Sequence, residues 1–181
     1  MPTYGFMRLF AAIVAFTFAN SLCWAADAPE VREDCLGFNP DSASVAFVHG
    51  SWKIVDGSHW MFDFGGQEQQ ARRALDIIHY YRLDTTCFAG RPHSPMTYLL
   101  SSGRAPVGGV PGEQCEAFDP GGISLQQAGE FWSILSGTQV LFDFGNREYG
   151  AKQGMLAFRH YGFSYRCIVG SSSSSFQYFR R

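Results

Sequence analysis

Between Trp52 and Tyr81 the apolar positions change their spacing once. Ser51-Trp52-Lys53-Ile54-Val55 and His59-Trp60-Met61-Phe62-Asp63-Phe64 are β-prone runs, and Asp56-Gly57 lies between them. Asp-Gly supplies the positive φ that a type I′ turn needs at both central residues, so the two runs predict a hairpin. In its second strand, a period of two puts Trp60, Phe62 and Phe64 on one face and His59, Met61 and Asp63 on the other. Past Gly65-Gly66 the period lengthens. Ala71, Ala74, Leu75, Ile78 and Tyr81 recur at steps of three and four, the apolar stripe of a helix over 67–81. Glu68 suits the positive end of its dipole, and Arg72, Arg73 and Asp76 take the wet face. Val45–Val48, Thr85–Ala89 and Met96–Leu100 read as further strands. The last two flank the loop Arg91-Pro92-His93-Ser94-Pro95.

The same order then recurs. Phe142-Asp143-Phe144-Gly145 repeats Phe62-Asp63-Phe64-Gly65 at an offset of 80 residues, 62 to 142. The same step pairs Cys35 with Cys115, Trp52 with Trp132, Tyr81 with Tyr161, Cys87 with Cys167 and Tyr98 with Tyr178, without a gap. An ungapped match of this length reads as an internal duplication. The expected fold is α+β, with two tandem homologous modules of ββ(β)αββ order. Each is a small, mostly antiparallel sheet covered by one helix and closed by a disulfide. The modules span 35–100 and 113–181. A Gly-, Ser- and Pro-containing linker, 101–112, joins them, and a polar leader, 26–34, precedes them.

Composition narrows the class. A hydrophobic fraction of 46% and a charged fraction of 17% are those of a globular chain. A net charge of −2 removes any broad electrostatic case for nucleic acid or anionic lipid. Residues 1–25 have the order of a secretory signal: Arg8, an apolar run from Leu9 to Phe18, then Cys23-Trp24-Ala25 with small residues at the cleavage positions. The run is too short to span a bilayer comfortably. The expected location is secreted or periplasmic, with no stable membrane insertion once the signal is gone. That removal leaves Cys35, Cys87, Cys115 and Cys167, an even count in an exported chain. A single ancestral module would have closed its own bridge. The duplication therefore favours Cys35–Cys87 and Cys115–Cys167, each closing about 50 residues and contributing about 3–4 kcal/mol in the chain-entropy model. The cysteines show no C-x-x-C pairing, so no zinc site is assigned.

Residues common to both modules should mostly serve the fold, and residues found in one reflect either function or drift. Asp63 and Asp143 are common, and are expected to accept backbone N–H bonds near the following helix start. Trp52 and Trp132 are expected in the cores. The chain has no Gly-x-Ser-x-Gly elbow and no phosphate-binding Gly-Lys-Ser/Thr loop. His49, His59, His79 and His93 lack H-x-H or H-x-x-x-H spacing. No catalytic residue, metal ligand or cofactor is assigned. Trp60 stands where the second module has Val140. Arg91, His93 and Tyr98 flank a loop that is serine-rich in the second module. Together with His59 they form the expected binding face, since an exposed Trp with polar neighbours can stack on a sugar or grip a protein. The expected function is a non-catalytic binding protein for a carbohydrate or an extracellular or periplasmic protein, inhibitors included. The alternatives are a small secreted hydrolase with a site between the modules, and a structural envelope or matrix component.

Overall fold

The computed structural model describes residues 31–92, 94–169 and 176–181. The expected signal, 1–25, and His93 lie outside the described residues.

β2 (Ala43–Val48), β3 (Ser51–Asp56) and β4 (His59–Asp63) form an antiparallel meander, and α1 (Glu68–Tyr81) packs over β2 and β3. The joint between them is local chemistry. The Asp63 carboxylate accepts the Gly65 N–H at 2.9 Å, while Gly65 takes a φ of 55°, which costs glycine little. α1 buries Ala71, Ala74, Ile77, Ile78 and Tyr81, with Leu75 at the flank of the stripe. The second half repeats this order. β8 (Ile123–Ala128), β9 (Phe131–Ser136) and β10 (Gln139–Asp143) make the meander, and α2 (Glu148–Tyr161) covers it. Asp143 accepts the Gly145 N–H at 2.8 Å.

The remaining strands make two smaller antiparallel sheets. One has the order β1 (Asp34–Gly37), β5 (Thr85–Phe88), β6 (Thr97–Leu100). The other has the order β7 (Gln114–Ala117), β11 (Tyr165–Ile168), β12 (Gln177–Arg180). β1 and β7 were not expected, because a four-residue strand around one cysteine has no period to read. Cross-strand pairing places Cys35 opposite Cys87 and Cys115 opposite Cys167, each pair with Cα atoms 4.1 Å apart. Both expected disulfides are formed. Two such bridges are consistent with an oxidising compartment. Among the described residues no helix is long and apolar enough to cross a membrane.

Two disulfide-closed modules packed against each other were expected, and the cores run across the boundary between the halves. The core beneath α2 and the second meander includes Cys87, Tyr98 and Leu100 from the first half. The core beneath α1 and the first meander includes Cys167, Phe176 and Tyr178 from the second. Phe62 meets Phe176 edge-on at 5.0 Å across that boundary. β6 and β12 pack against each other and serve both cores. Tyr98 and Leu100 point into one core and Leu99 into the other, and Tyr178 and Phe179 divide in the same way. The physical reason is visible in Thr-Tyr-Leu-Leu at 97–100. A strand that is apolar on both faces needs cover on both sides, and one helix cannot supply it.

The segment 101–112 is fastened along the body. Ala105 and Pro106 are buried, and the Pro106 carbonyl accepts the Arg181 N–H at 2.9 Å. Tyr80 donates to the Gly109 carbonyl at 3.3 Å, and Arg73 donates to the Gly112 carbonyl. In the other half the approach to β1 is held the same way, as the Arg32 N–H donates to Gln153 Oε1 at 2.8 Å.

Candidate functional site

The pairing of β3 with β4 places Trp60 away from the position its period implies. Ile54 faces Phe62 and Val55 faces Trp60, so the ladder skips Met61. This bulge turns Trp60 out of the set it would otherwise share with Phe62 and Phe64. Those two are buried, and Trp60 is 60% exposed. Its ring lies over Lys53, with Nζ 4.3 Å from the centroid, and Lys53 Nζ is 2.8 Å from Asp63 Oδ2. Ser51 Oγ also donates to Asp63 at 2.7 Å. The bond from Lys53, then those from Gly65 and Ser51, hold the Asp63 carboxyl down at about 2. Trp52 and Trp132, expected in the cores, are half-buried at their edges; Trp52 has the Phe47 ring 5.2 Å away.

Beside Trp60 opens a cleft of about 400 Å³. Its floor is the side of β1 and β5 turned away from the disulfide, with Leu36, Thr86 and Phe88. Its wall is β4, with His59, Trp60 and Met61, and Phe38 and Asp56 complete the lining. Asp56 accepts Ser42 Oγ at 2.6 Å and the Asn39 N–H at 2.9 Å, and these bonds hold its carboxyl below the usual range. Arg91 lies over the Phe88 ring at 3.9 Å and pairs with Asp34 at 3.2 Å. The structure therefore brings together Trp60, His59 and, through Phe88, Arg91. Tyr98 is placed elsewhere. It is 1% exposed, in the core on the disulfide side of its sheet, and its hydroxyl donates to Glu33 at 3.2 Å. Strand alternation decides this: Tyr98 faces Cys87, and the cleft lies on the opposite face.

The corresponding place in the second half is occupied by the chain itself. At the offset of 80 residues, Leu36 becomes Glu116, Thr86 becomes Arg166, His59 becomes Gln139 and Trp60 becomes Val140. Arg166 pairs with Glu116 at 2.8 Å and donates to the Leu141 carbonyl at 3.2 Å, and Gln139 donates to Glu116 at 2.5 Å. A shallower depression of about 260 Å³ remains over Gln114, Cys115, Glu116, Arg166 and Ile168.

One pair of polar clusters escaped the sequence reading. Glu113 accepts the hydroxyls of Tyr81 and Tyr178, and its Oε2 lies 3.1 Å from Arg180 Nε. Glu33 accepts the hydroxyls of Tyr98 and Tyr161. Each cluster joins the two halves, since the helix tyrosine comes from the other half. Burial first, and then the carboxylate, pushes all four tyrosines above their ordinary value. The signal was present in the sequence, because Glu113 stands 80 residues after Glu33. The nearby cysteine sulfurs are bonded to each other, so these carboxylates have no thiolates beside them to complete a metal site. No family model, curated protein or solved structure matches this chain, so the functional reading rests on its own geometry.

Proposed function

We propose that the protein is a secreted or periplasmic binding protein, non-catalytic, with the cleft beside Trp60 as its ligand site and a protein or carbohydrate as its ligand. The observation that carries this is the contrast between the halves. Where the second half covers its floor with Glu116, Arg166 and Gln139, the first leaves an open cleft with Leu36 on its floor and Trp60 on its wall. Leaving Trp60 60% and Leu36 53% exposed forgoes burial of large apolar surface at about 25 cal/mol per Å². Such a cost is recovered where a ligand covers the surface. The titratable groups of the lining are His59 and Asp56, and Asp56 is engaged with the Asn39–Ser42 turn. Binding is the chemistry this lining supports.

The test is an amide and indole NMR titration against panels of glycans and of peptides. Ligands should shift Leu36, His59, Trp60, Thr86 and Phe88 together. Trp60→Ala should weaken binding at least tenfold, about 1.4 kcal/mol, while Val140→Ala leaves it unchanged. A panel that moves none of these signals overturns the proposal.

A further inference from the structure

The second half shows what covers such a floor, and it is an arginine. Leu141 is the residue that the β9–β10 ladder skips, and its carbonyl accepts the Arg166 guanidinium. The rest of that guanidinium pairs with Glu116. Met61 is the residue skipped in β4, at the corresponding position. In the first half, however, Thr86 and Leu36 stand where Arg166 and Glu116 would be, so both the guanidinium and its carboxylate are gone from the floor. A carboxylate returns from another direction. Asp56, whose counterpart is Ser136, lines the cleft, and among the described residues its hydrogen bonds come from neutral donors. Lys53 pairs with Asp63 and Arg91 with Asp34, and the basic group facing Asp56 is His59, its cross-strand partner, which also lines the cleft. The cleft therefore pairs apolar walls with one carboxylate that, among the described residues, forms no ion pair, although two neutral donors hold it in place and His59 stands across from it.

From this complementarity we infer that the cleft receives an arginine side chain of a partner polypeptide. The inference rests on reading the cleft as the ligand site. Leu36, Met61 and Phe88 suit the methylene stem, which arginine lays along apolar surface while its head stays polar. The planar guanidinium is suited to the Asp56 carboxylate, and the exposed Trp60 ring on the cleft wall to packing along the stem. A sugar fits less well. Its many hydroxyls need several convergent partners, and an apolar floor leaves them desolvated and unpaired.

The experiment uses blocked pentapeptides with a central arginine, citrulline, lysine or phenylalanine between glycines, titrated into the protein and followed at the Trp60 indole and the Met61 and Thr86 amides. The arginine peptide should bind saturably. Citrulline, its neutral isostere, should bind at least tenfold more weakly, and Asp56→Asn should weaken the arginine peptide by a similar factor. The double variant Leu36→Glu/Thr86→Arg rebuilds the arrangement that already folds in the second half. It should abolish arginine binding with the rest of the amide spectrum retained. Equal binding of citrulline, tighter binding of phenylalanine, or full binding by the double variant overturns the inference. If a glycan or apolar peptide moves the cleft signals and arginine does not, the arginine assignment falls and the binding site stands. If nothing moves them, the binding reading falls as well.

Discussion

Thr86 forms part of the cleft floor, and its hydroxyl oxygen is buried without a hydrogen-bond partner among the described residues. An unpaired buried hydroxyl costs about 1–3 kcal/mol relative to an apolar group of the same shape. Thr86→Val should therefore leave stability unchanged or raise it by up to about 1 kcal/mol in denaturant unfolding. A loss of that size would show that the hydroxyl is bonded in solution. Asp63 sets a pH dependence. Its folded pKa, about 2, lies below the ordinary 3.8, so the ionised form is the one the fold stabilises. That contribution is complete above about pH 4 and is lost as the pH falls towards 2. The side chain is 40% exposed, so screening keeps the contribution below about 1 kcal/mol. Unfolding midpoints at pH 5 and pH 2 should differ less in Asp63→Asn than in the parent, and the variant should also be weaker at pH 5 because Lys53 loses its partner.

At the scale of elements, the close contacts are where small changes should be felt. The loop after β5 meets the first turn of α2 at two glycines. A Cβ added at Gly90 would lie 2.4 Å from the Gly150 Cα, and Gly90 has a φ of 77°. Gly57 also has a positive φ, but its added Cβ would meet nothing within 4 Å. Gly90→Ala should thus cost about 2 kcal/mol or more and Gly57→Ala about 1, read as thermal midpoints. The two carboxylate–tyrosine clusters are unequal in the same way. Glu113 is 6% exposed at its side chain and faces Arg180, whose counterpart in the first half is Leu100. Glu113→Gln leaves that cation unpaired and should cost about 2–4 kcal/mol, against about 1 for Glu33→Gln. Equal losses in denaturant titrations would show that the Arg180 pairing contributes little.

On the scale of the whole molecule, each core takes strands from both halves, so neither half should fold alone. Fragments 31–105 and 106–181, each with its disulfide intact, should lack near-ultraviolet circular dichroism when separate and regain it when mixed. A folded lone fragment would refute the shared-core arrangement. The matching order of elements in the two halves was legible in Phe62-Asp63-Phe64-Gly65 and Phe142-Asp143-Phe144-Gly145, and the disulfide partners followed from their equal spacing of 52 residues. The shared cores were not, although Thr-Tyr-Leu-Leu hinted at them by being apolar on both faces. Of the expected binding face, His59 and Trp60 line one cleft and Arg91 borders it, whereas Tyr98 serves a core.

What the sequence determined by itself is whatever depends on neighbours along the chain: the hairpin between β3 and β4, the Asx turn at Asp63-Gly65 and the stripe of α1. The hairpin's turn, however, falls at Gly57-Ser58 with a positive φ at Gly57 alone, because Asp56 pairs with His59 in the ladder, and so is not the type I′ turn expected at Asp56-Gly57. Turn dihedrals and side-chain period are local, so local residues specify them. The tertiary structure decided what depends on distant pairs. The bulge at Met61, set by cross-strand register, turned Trp60 outward. The pairing of β1 with β5 put Leu36 beside Thr86 and made a floor. Two uncharged side chains, Leu36 and Thr86, form a cleft because folding brings them to the same place as Trp60.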